Sequence, residues 1–227
     1  MTFPTSLTVK GAATRARIVA AAADLVLERG VGGTTLDDIR KGTSTSKSQL
    51  FHYFPGGKTE LVGAIAGFQA ERVLQAQRPF LDHLDTWEAW DGWRDAVIRH
   101  YGSQLHWGCP IGSLVNEVLT EDPRLGQAVA AHLEEWRGHL EAGLVRMRAS
   151  GILPGDASPR SLSTAILAAL QGGLLLTQTS HSIEPLEAAL DTALTALRAV
   201  AGHCPSVPED DGADDVDGGE VGNSRTK

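Results

Sequence analysis

Residues 34–54, TTLDDIRKGTSTSKSQLFHYF, read as two short capped helices joined by a tight turn. Thr34-Thr35 supplies a helix N-cap, and Asp37 and Asp38 follow in the first turn, where carboxylates complement the positive end of the helix dipole. Leu36 and Ile39 form the apolar stripe, and the helix is predicted to end near Gly42. Thr43-Ser44-Thr45 is then a linker. Ser46 caps a further short helix that turns Leu50 and Phe51 inward and is closed by Tyr53, Phe54 and Pro55. Two short helices in this relation are helix-turn-helix grammar.

On the N-terminal side, residues 1–13 read as a flexible arm. Thr14 precedes Ile18, Ala22, Leu25, Val26 and Arg29 at helical spacing, and Gly30 ends that helix. On the C-terminal side, Gly57-Lys58-Thr59-Glu60 opens a longer helix with Glu60 at its third position. Leu61, Ile65, Phe68 and Arg72 lie along one face, to Arg78-Pro79. This helix is expected to bridge two domains. Further helices are predicted near 86–104, 110–120, 123–150, 159–180 and 184–201, punctuated by Pro110, Pro123, the Gly151/Pro154/Gly155 cluster and Pro185. With no alternating β-type run, the reading is an all-α protein of about nine helices. A helix-turn-helix domain over 14–58 precedes a helical body over 59–203.

The net charge of -8 looks wrong for a nucleic-acid binder until it is resolved along the chain. Residues 1–58 hold eight Lys/Arg against four Asp/Glu, a local balance of +4, whereas residues 205–227 hold seven acids and two bases, a balance of -5. Attraction to phosphate is local over about 8–10 Å in physiological salt, so a basic module can work on an acidic chain. Residues 204–227 lack packing side chains and read as a disordered acidic tail. Hydrophobic residues make up 42% of the chain, and no apolar run is expected to approach the roughly 20 residues that span a bilayer. The opening MTFPTSLTVKG has no apolar leader segment, and the two cysteines, Cys109 and Cys204, have no CxxC partner. Together these point to a cytoplasmic protein that engages no membrane.

DNA readout needs a short helix with small or polar exposed side chains, flanked by donors that clamp phosphates. Ser46, Lys47, Ser48 and Gln49 offer that surface: Gln49 suits adenine, Lys47 guanine or phosphate, and Ser48 either. Thr34, Thr35 and Tyr53 are candidate phosphate donors, and Lys58 stands at a helix N-terminus, where anions bind. The competing reading makes all of these caps and solvated residues of a small helical bundle.

The segment TTLDDIRKGTSTSKSQLFHYFPGGKTELV, residues 34–62, resembles the TetR-type repressor signature. Thr35, Leu36 and Ile39, then Ser46, Lys47, Leu50 and Phe51, then His52, Tyr53, Phe54 and Lys58 carry the resemblance. It departs at the turn, where Ser44 stands for a glycine that often adopts a left-handed conformation. HWGCPIGSLVNEV, residues 106–118, together with FPGGK, residues 54–58, is similar to the LmrA/YxaF subgroup. The resemblance covers about residues 14–200. It implies a homodimeric repressor released from double-stranded operator DNA by a small-molecule effector, and a C-terminal domain for ligand binding and dimerisation. An activator of the same fold, or a helical interaction protein that never touches DNA, are the alternatives.

All five tryptophans, Trp87, Trp90, Trp93, Trp107 and Trp136, fall in the body, where indoles either pack a core or line a cavity. By family-like helix position, Phe68, His106, Trp107, Ile111, Trp136, Leu140 and Gln171 are the expected ligand residues. SLSTAILAALQGGLLLTQT and LEAALDTALTALRAV are rich in Ala, Leu and Gly and are expected to form the dimer surface, with Gly172-Gly173 a packing notch. Cys109 reads as an inert thiol, and His132 and His139, seven apart on one helix face, as a solvated or core pair rather than a metal site. No nucleophile-base pair, carboxylate pair or phosphate-binding glycine loop appears at a useful spacing, so neither catalysis nor a cofactor is expected.

Overall fold

A computed structural model describes residues 8–104, 106–119 and 122–202. The expectations for the start of the arm and for the acidic tail fall outside the described residues. Among those residues the order is α1 (Val9–Arg29), α2 (Leu36–Gly42), α3 (Lys47–Tyr53), α4 (Gly57–Ala76), a 3-10 turn (Phe80–His83), α5 (Trp87–Gly102), α6 (Pro110–Val118), α7 (Pro123–Ala149), α8 (Pro159–Ser180) and α9 (Glu184–Gly202). The all-α reading stands, and apart from the start of α1 the helices lie close to where the prolines and caps placed them.

Most helices begin on a side chain that takes up an otherwise unpaired N–H. Thr86 caps α5, Asp122 caps α7 through the Arg124 and Leu125 amides, and Ser158 caps α8. Helix α1 begins at Val9 on Thr8 rather than after Thr14. The Thr14 hydroxyl donates to the Lys10 carbonyl at 3.0 Å, a bond made inside a helix and not at its start. Glu60 does serve the start of α4: its carboxylate accepts the Gly56 N–H at 2.8 Å.

The turn between α2 and α3 shows what replaces the expected glycine. Ser44 has φ +50°, the left-handed conformation that closes a helix when the next amides fold back onto its last carbonyls. The Ser44 N–H donates to the Lys41 carbonyl at 3.2 Å and the Thr45 N–H to the Arg40 carbonyl at 3.0 Å. The buried Thr43 hydroxyl donates to the Ile39 carbonyl at 2.7 Å, and Arg17 of α1 donates to the Thr43 carbonyl at 2.5 Å. The surroundings therefore hold a serine in a conformation that costs a residue bearing a Cβ roughly 1 kcal/mol.

The small N-terminal bundle packs Ile18, Ala22 and Val26 of α1 on Ile39 of α2, Leu50 of α3 and Phe54, all buried. Helix α4 completes this bundle with Leu61, Val62 and Ile65, then enters the body with Gln69, Val73 and Leu74 on the same buried side. Phe68 and Arg72 do not share that face. They stack on each other, the guanidinium 5.5 Å from the ring centroid.

Beyond α4, the buried Gln77 ties three helices together. Its carboxamide oxygen accepts the Trp93 indole N–H at 2.7 Å and the Trp136 indole N–H at 2.9 Å, while its NH2 donates to the Val73 carbonyl at 2.7 Å. Trp90 packs edge-on against Trp93, with centroids 5.5 Å apart. Helix α7 runs between α4, α6 and α8, and α8 packs closely on α9. A Cβ added at Gly173 would stand 2.9 Å from Leu186 Cα, so this glycine is the expected notch, while Gly172 faces open space.

By length and composition alone α8 reaches the threshold of a membrane-spanning helix, with mean hydropathy 1.2 over its most apolar window. The expectation that no run does so is corrected at this helix. Its apolarity has two local causes: one face, with Ile166, Leu170 and Leu174, is buried in the body, and the other presents Leu175 and Leu176 outward.

Gln77→Leu should lower the unfolding free energy by about 2–4 kcal/mol in a urea titration, because two buried indole donors lose their acceptor. Unchanged stability would remove Gln77 from this role. Ser44→Gly should gain roughly 0.5–1 kcal/mol and raise Tm by about 1–4 °C, measured by calorimetry, by relieving the left-handed serine.

Candidate nucleic-acid interface and cavities of the body

The two short helices are held by reciprocal caps. Thr35 accepts the Asp38 N–H at 3.1 Å while the Asp38 carboxylate accepts the Thr35 N–H at 3.0 Å. The Thr35 hydroxyl and amide thereby hold the Asp38 carboxyl below the usual carboxylate range. Ser46 accepts the Gln49 N–H at 3.2 Å while the Gln49 carboxamide oxygen accepts the Ser46 N–H at 3.1 Å. Each is a capping box.

These bonds redistribute the expected DNA contacts. Thr34 is fully buried and its hydroxyl donates to the Gly30 carbonyl at 2.8 Å, so it has none left for phosphate. The hydroxyl of Thr35 is engaged with Asp38. Gln49 is exposed, but with its oxygen on Ser46 only its NH2 faces outward, and the paired contact to adenine is not open to it in this state. Ser46 and Ser48 stay exposed with their hydroxyls 3.1 Å apart. Lys47 and His52 are exposed, Tyr53 is half-buried with the His52 ring edge-on at 5.0 Å, and Lys58 is half-buried at the start of α4.

Phe51 does not turn inward. It is 41% exposed, and only Leu50 of that pair enters the core. Successive helical residues point about 100° apart, and here only the Leu50 direction meets the bundle core. Instead Phe51 lies in a groove of about 530 Å3 with Thr35, Arg40, Lys47 and Lys58. Arg40, in the last turn of α2, lines this groove with Lys47, a neighbour that reading the caps alone does not bring out. It is 3.2 Å from Asp37.

In the body the expected ligand residues separate. Trp136 and Leu140 are fully buried and Ile111 is 1% exposed; they pack in the core, and the Trp136 indole N–H is taken by Gln77. Phe68 lies under Arg72 and lines none of the described cavities. His106 and Trp107 do line a cavity of about 390 Å3 between the end of α1, the α5–α6 loop, α6 and α8, with Gln104, Asn116, Glu117 and Gln178. Gln171 lines a second cavity of about 330 Å3, between α6, α7 and α8.

Helix α6 thus has a cavity on each flank. Cys109 caps it: the buried sulfur accepts the Gly112 N–H at 3.4 Å and the Gln171 NH2 at 3.4 Å. The Tyr101 hydroxyl is buried with no hydrogen-bond partner among the described residues, and burial, with Cys109 beside it, pushes its ionisation well up. Burial, with the charge of Arg72, lowers the pKa of the neighbouring His100, whose Nε2 lies 2.7 Å from the Gln104 amide. Glu117 reaches from α6 back to the N-terminal bundle, where its Oε2 accepts the Val31 N–H at 2.5 Å. Sequence spacing had no means of pairing residues so far apart.

Comparison with known proteins matches both parts of this architecture. Residues 18–65 match the family described as bacterial regulatory proteins, tetR family. Residues 90–192 match the transcriptional regulator LmrA/YxaF-like C-terminal domain. The chain is 28% identical over 183 residues to an uncharacterized HTH-type transcriptional regulator of Mycobacterium tuberculosis, covering 76% of this chain and 88% of that protein. It is 25% identical over 176 residues to the HTH-type transcriptional regulator LmrA of Bacillus subtilis, covering 76% of this chain and 90% of that one. Among solved structures, a TetR transcriptional regulator from Chloroflexus aurantiacus superposes with TM-score 0.70 at 28% identity, over 84% of this chain and 96% of that one. The capped helix-turn-helix and the helical body are each accounted for by these matches, and the chain belongs to the TetR family of transcriptional regulators, with a C-terminal domain of the LmrA/YxaF-like kind.

Proposed function

We propose that this protein is a cytoplasmic homodimeric repressor that grips operator DNA through α3 and is released by a small-molecule effector. The observation that carries the DNA-binding part is the outer surface of the helix-turn-helix. Lys47, Ser48 and His52 stand exposed on α3, and Arg40 and Lys58 flank it across the Phe51 groove. Lys47 makes no hydrogen bond or ion pair among the described residues and suits guanine or phosphate, Ser48 has the Ser46 hydroxyl beside it and suits a base edge, and Arg40 and Lys58 suit phosphate oxygens. In this reading residues 14–58, extended back to Val9, are the DNA-binding unit and the remaining helices the regulatory body.

Dimerisation is supported by the outer face of α8 and α9. Ala165, Ala169, Leu176, Ala189, Ala193 and Ala196 line an open apolar groove of about 600 Å3, and Leu175 and Leu176 are 60% and 57% exposed. Small side chains let helices approach closely, and a second copy laid on this face gives a four-helix contact. A dimer sets two recognition helices about 34 Å apart, one turn of duplex, and covers DNA that transcription needs. Effector release is supported by the cavities flanking α6. Moving a population from 1% to 99% released requires a ligand that distinguishes the two states by about 5.5 kcal/mol.

Lys47→Ala and Lys58→Ala should each weaken binding to a fragment from upstream of the protein's own gene. Each should also lower the slope of log affinity against log salt by about 1 in fluorescence anisotropy. Slopes equal to wild type would take both residues off the phosphates. Leu176→Glu should convert the sedimenting species from dimer to monomer at micromolar concentration, and a dimer that persists would move the interface elsewhere.

A further inference from the structure

The cavity of about 390 Å3 that reaches from α1 to α8 has one unusual wall, the carboxylate of Glu117. Its Oε2 accepts the Val31 N–H at 2.5 Å. It also lies so close to Gly30, which has φ +74°, that a Cβ there would stand 2.8 Å from Oε2. Glu117 thereby ties the last turn of α1 and the start of the α1–α2 connection to α6. A carboxylate offers two oxygens and about four acceptor positions, of which a single amide takes one. Oε1 makes no hydrogen bond among the described residues, and no lysine or arginine lines the cavity there.

Apart from Glu117 and His106 the walls carry no ionisable side chain. Trp107 presents an indole, Val26 and Leu114 add apolar surface, and Gln104, Asn116 and Gln178 contribute carboxamides. A carboxylate and an indole in the lining of one small cavity are the chemistry that holds a flat organic cation. N–H groups of the cation form charge-assisted hydrogen bonds to the carboxylate, and its positive charge sits favourably over the aromatic face. The volume lies near the lower end of the 300–1,000 Å3 usual for small-molecule sites.

We propose that this cavity binds a small planar organic cation, whose amidinium-like or ammonium group takes the Glu117 carboxylate from the Val31 N–H and so frees the α1–α2 connection from α6. The proposal rests on the effector-controlled reading above and deepens it: it gives the effector's charge and names the contact it competes for. Glu117 is exposed at the cavity wall and therefore reachable without unfolding α6. A cation that pairs with both oxygens needs the carboxylate plane turned toward the cavity, and that rotation draws Oε2 off the Val31 N–H.

The test uses the full-length chain with benzamidine, and with benzamide as its neutral isostere. Calorimetric titration should show benzamidine binding at least tenfold tighter than benzamide, as expected when one partner gains a charge. Glu117→Gln keeps an oxygen for the Val31 N–H, so it should retain the wild-type Tm and lose benzamidine binding by at least tenfold. Trp107→Ala should weaken it as well. Hydrogen exchange at the Val31 amide should accelerate when benzamidine is added to the wild type. Equal binding of the two probes, undiminished binding by Glu117→Gln, or unchanged Val31 exchange overturns the proposal. A separate arm measures DNA affinity with benzamidine bound: if the probe binds and opens the Val31 contact but DNA affinity is unchanged, effector release fails and the cation site stands.

Discussion

The carboxamide of Gln77 is the interaction on which the placement of everything else rests. It is buried, and a buried amide group stays in a core only if its hydrogen-bonding capacity is met. Here two indoles and a backbone carbonyl meet it, and those partners belong to α5, α7 and α4. The end of α4 is therefore pinned at one point among three helices. At its other end, 20 residues and roughly 30 Å away, the same helix carries Lys58 beside the recognition helix. A polar contact deep in the body thus sets the reference from which the DNA-facing surface is held, because α4 packs in both cores and has no break between them.

Short helices allot their polar side chains differently from long ones. A helix of seven residues leaves most of its N–H and C=O groups without an intrahelical partner. Threonines, serines and the glutamine next to those ends are drawn first to the backbone. That accounts for Thr34, Thr35, Ser46 and Gln49, each of which has the right chemistry for DNA and each of which is wholly or partly engaged in capping or in a buried hydrogen bond. The outward surface is left to residues with no backbone role: Lys47, Ser48, His52, Phe51 and the flanking Arg40 and Lys58. Specificity in such a motif is carried by few side chains, while the rest hold those few in position.

Helix α6 stands where the two halves of the chain meet. One end is capped by Cys109, which also receives Gln171 from α8, and near the other end Glu117 reaches the α1–α2 connection. It has a cavity on either flank. An element with room to shift and polar contacts to both halves is the kind through which two sites become coupled, provided a ligand distinguishes its positions. The outer face of α8 and α9 is of a different kind: it presents small and apolar side chains, among them Leu175 and Leu176, to solvent.

The sequence by itself determined the helix content, the order of the helices and the position of the helix-turn-helix. Caps, prolines and helical spacing are local signals, written within a few residues of the structure they specify. It also located the charge that makes the N-terminal part suited to DNA. Only the tertiary structure decided which side chains remain available for that work. Whether Trp136 lines a cavity depends on Gln77, 59 positions away, and whether α6 is tied to the DNA-binding bundle depends on Glu117 meeting Val31 across 86 positions. Such pairings follow from how long helices cross and pack, and no spacing along the chain encodes them. The turn at Ser44 lies between the two cases: its left-handed backbone was foreseeable from the position, but the Arg17 contact that helps hold it comes from another helix.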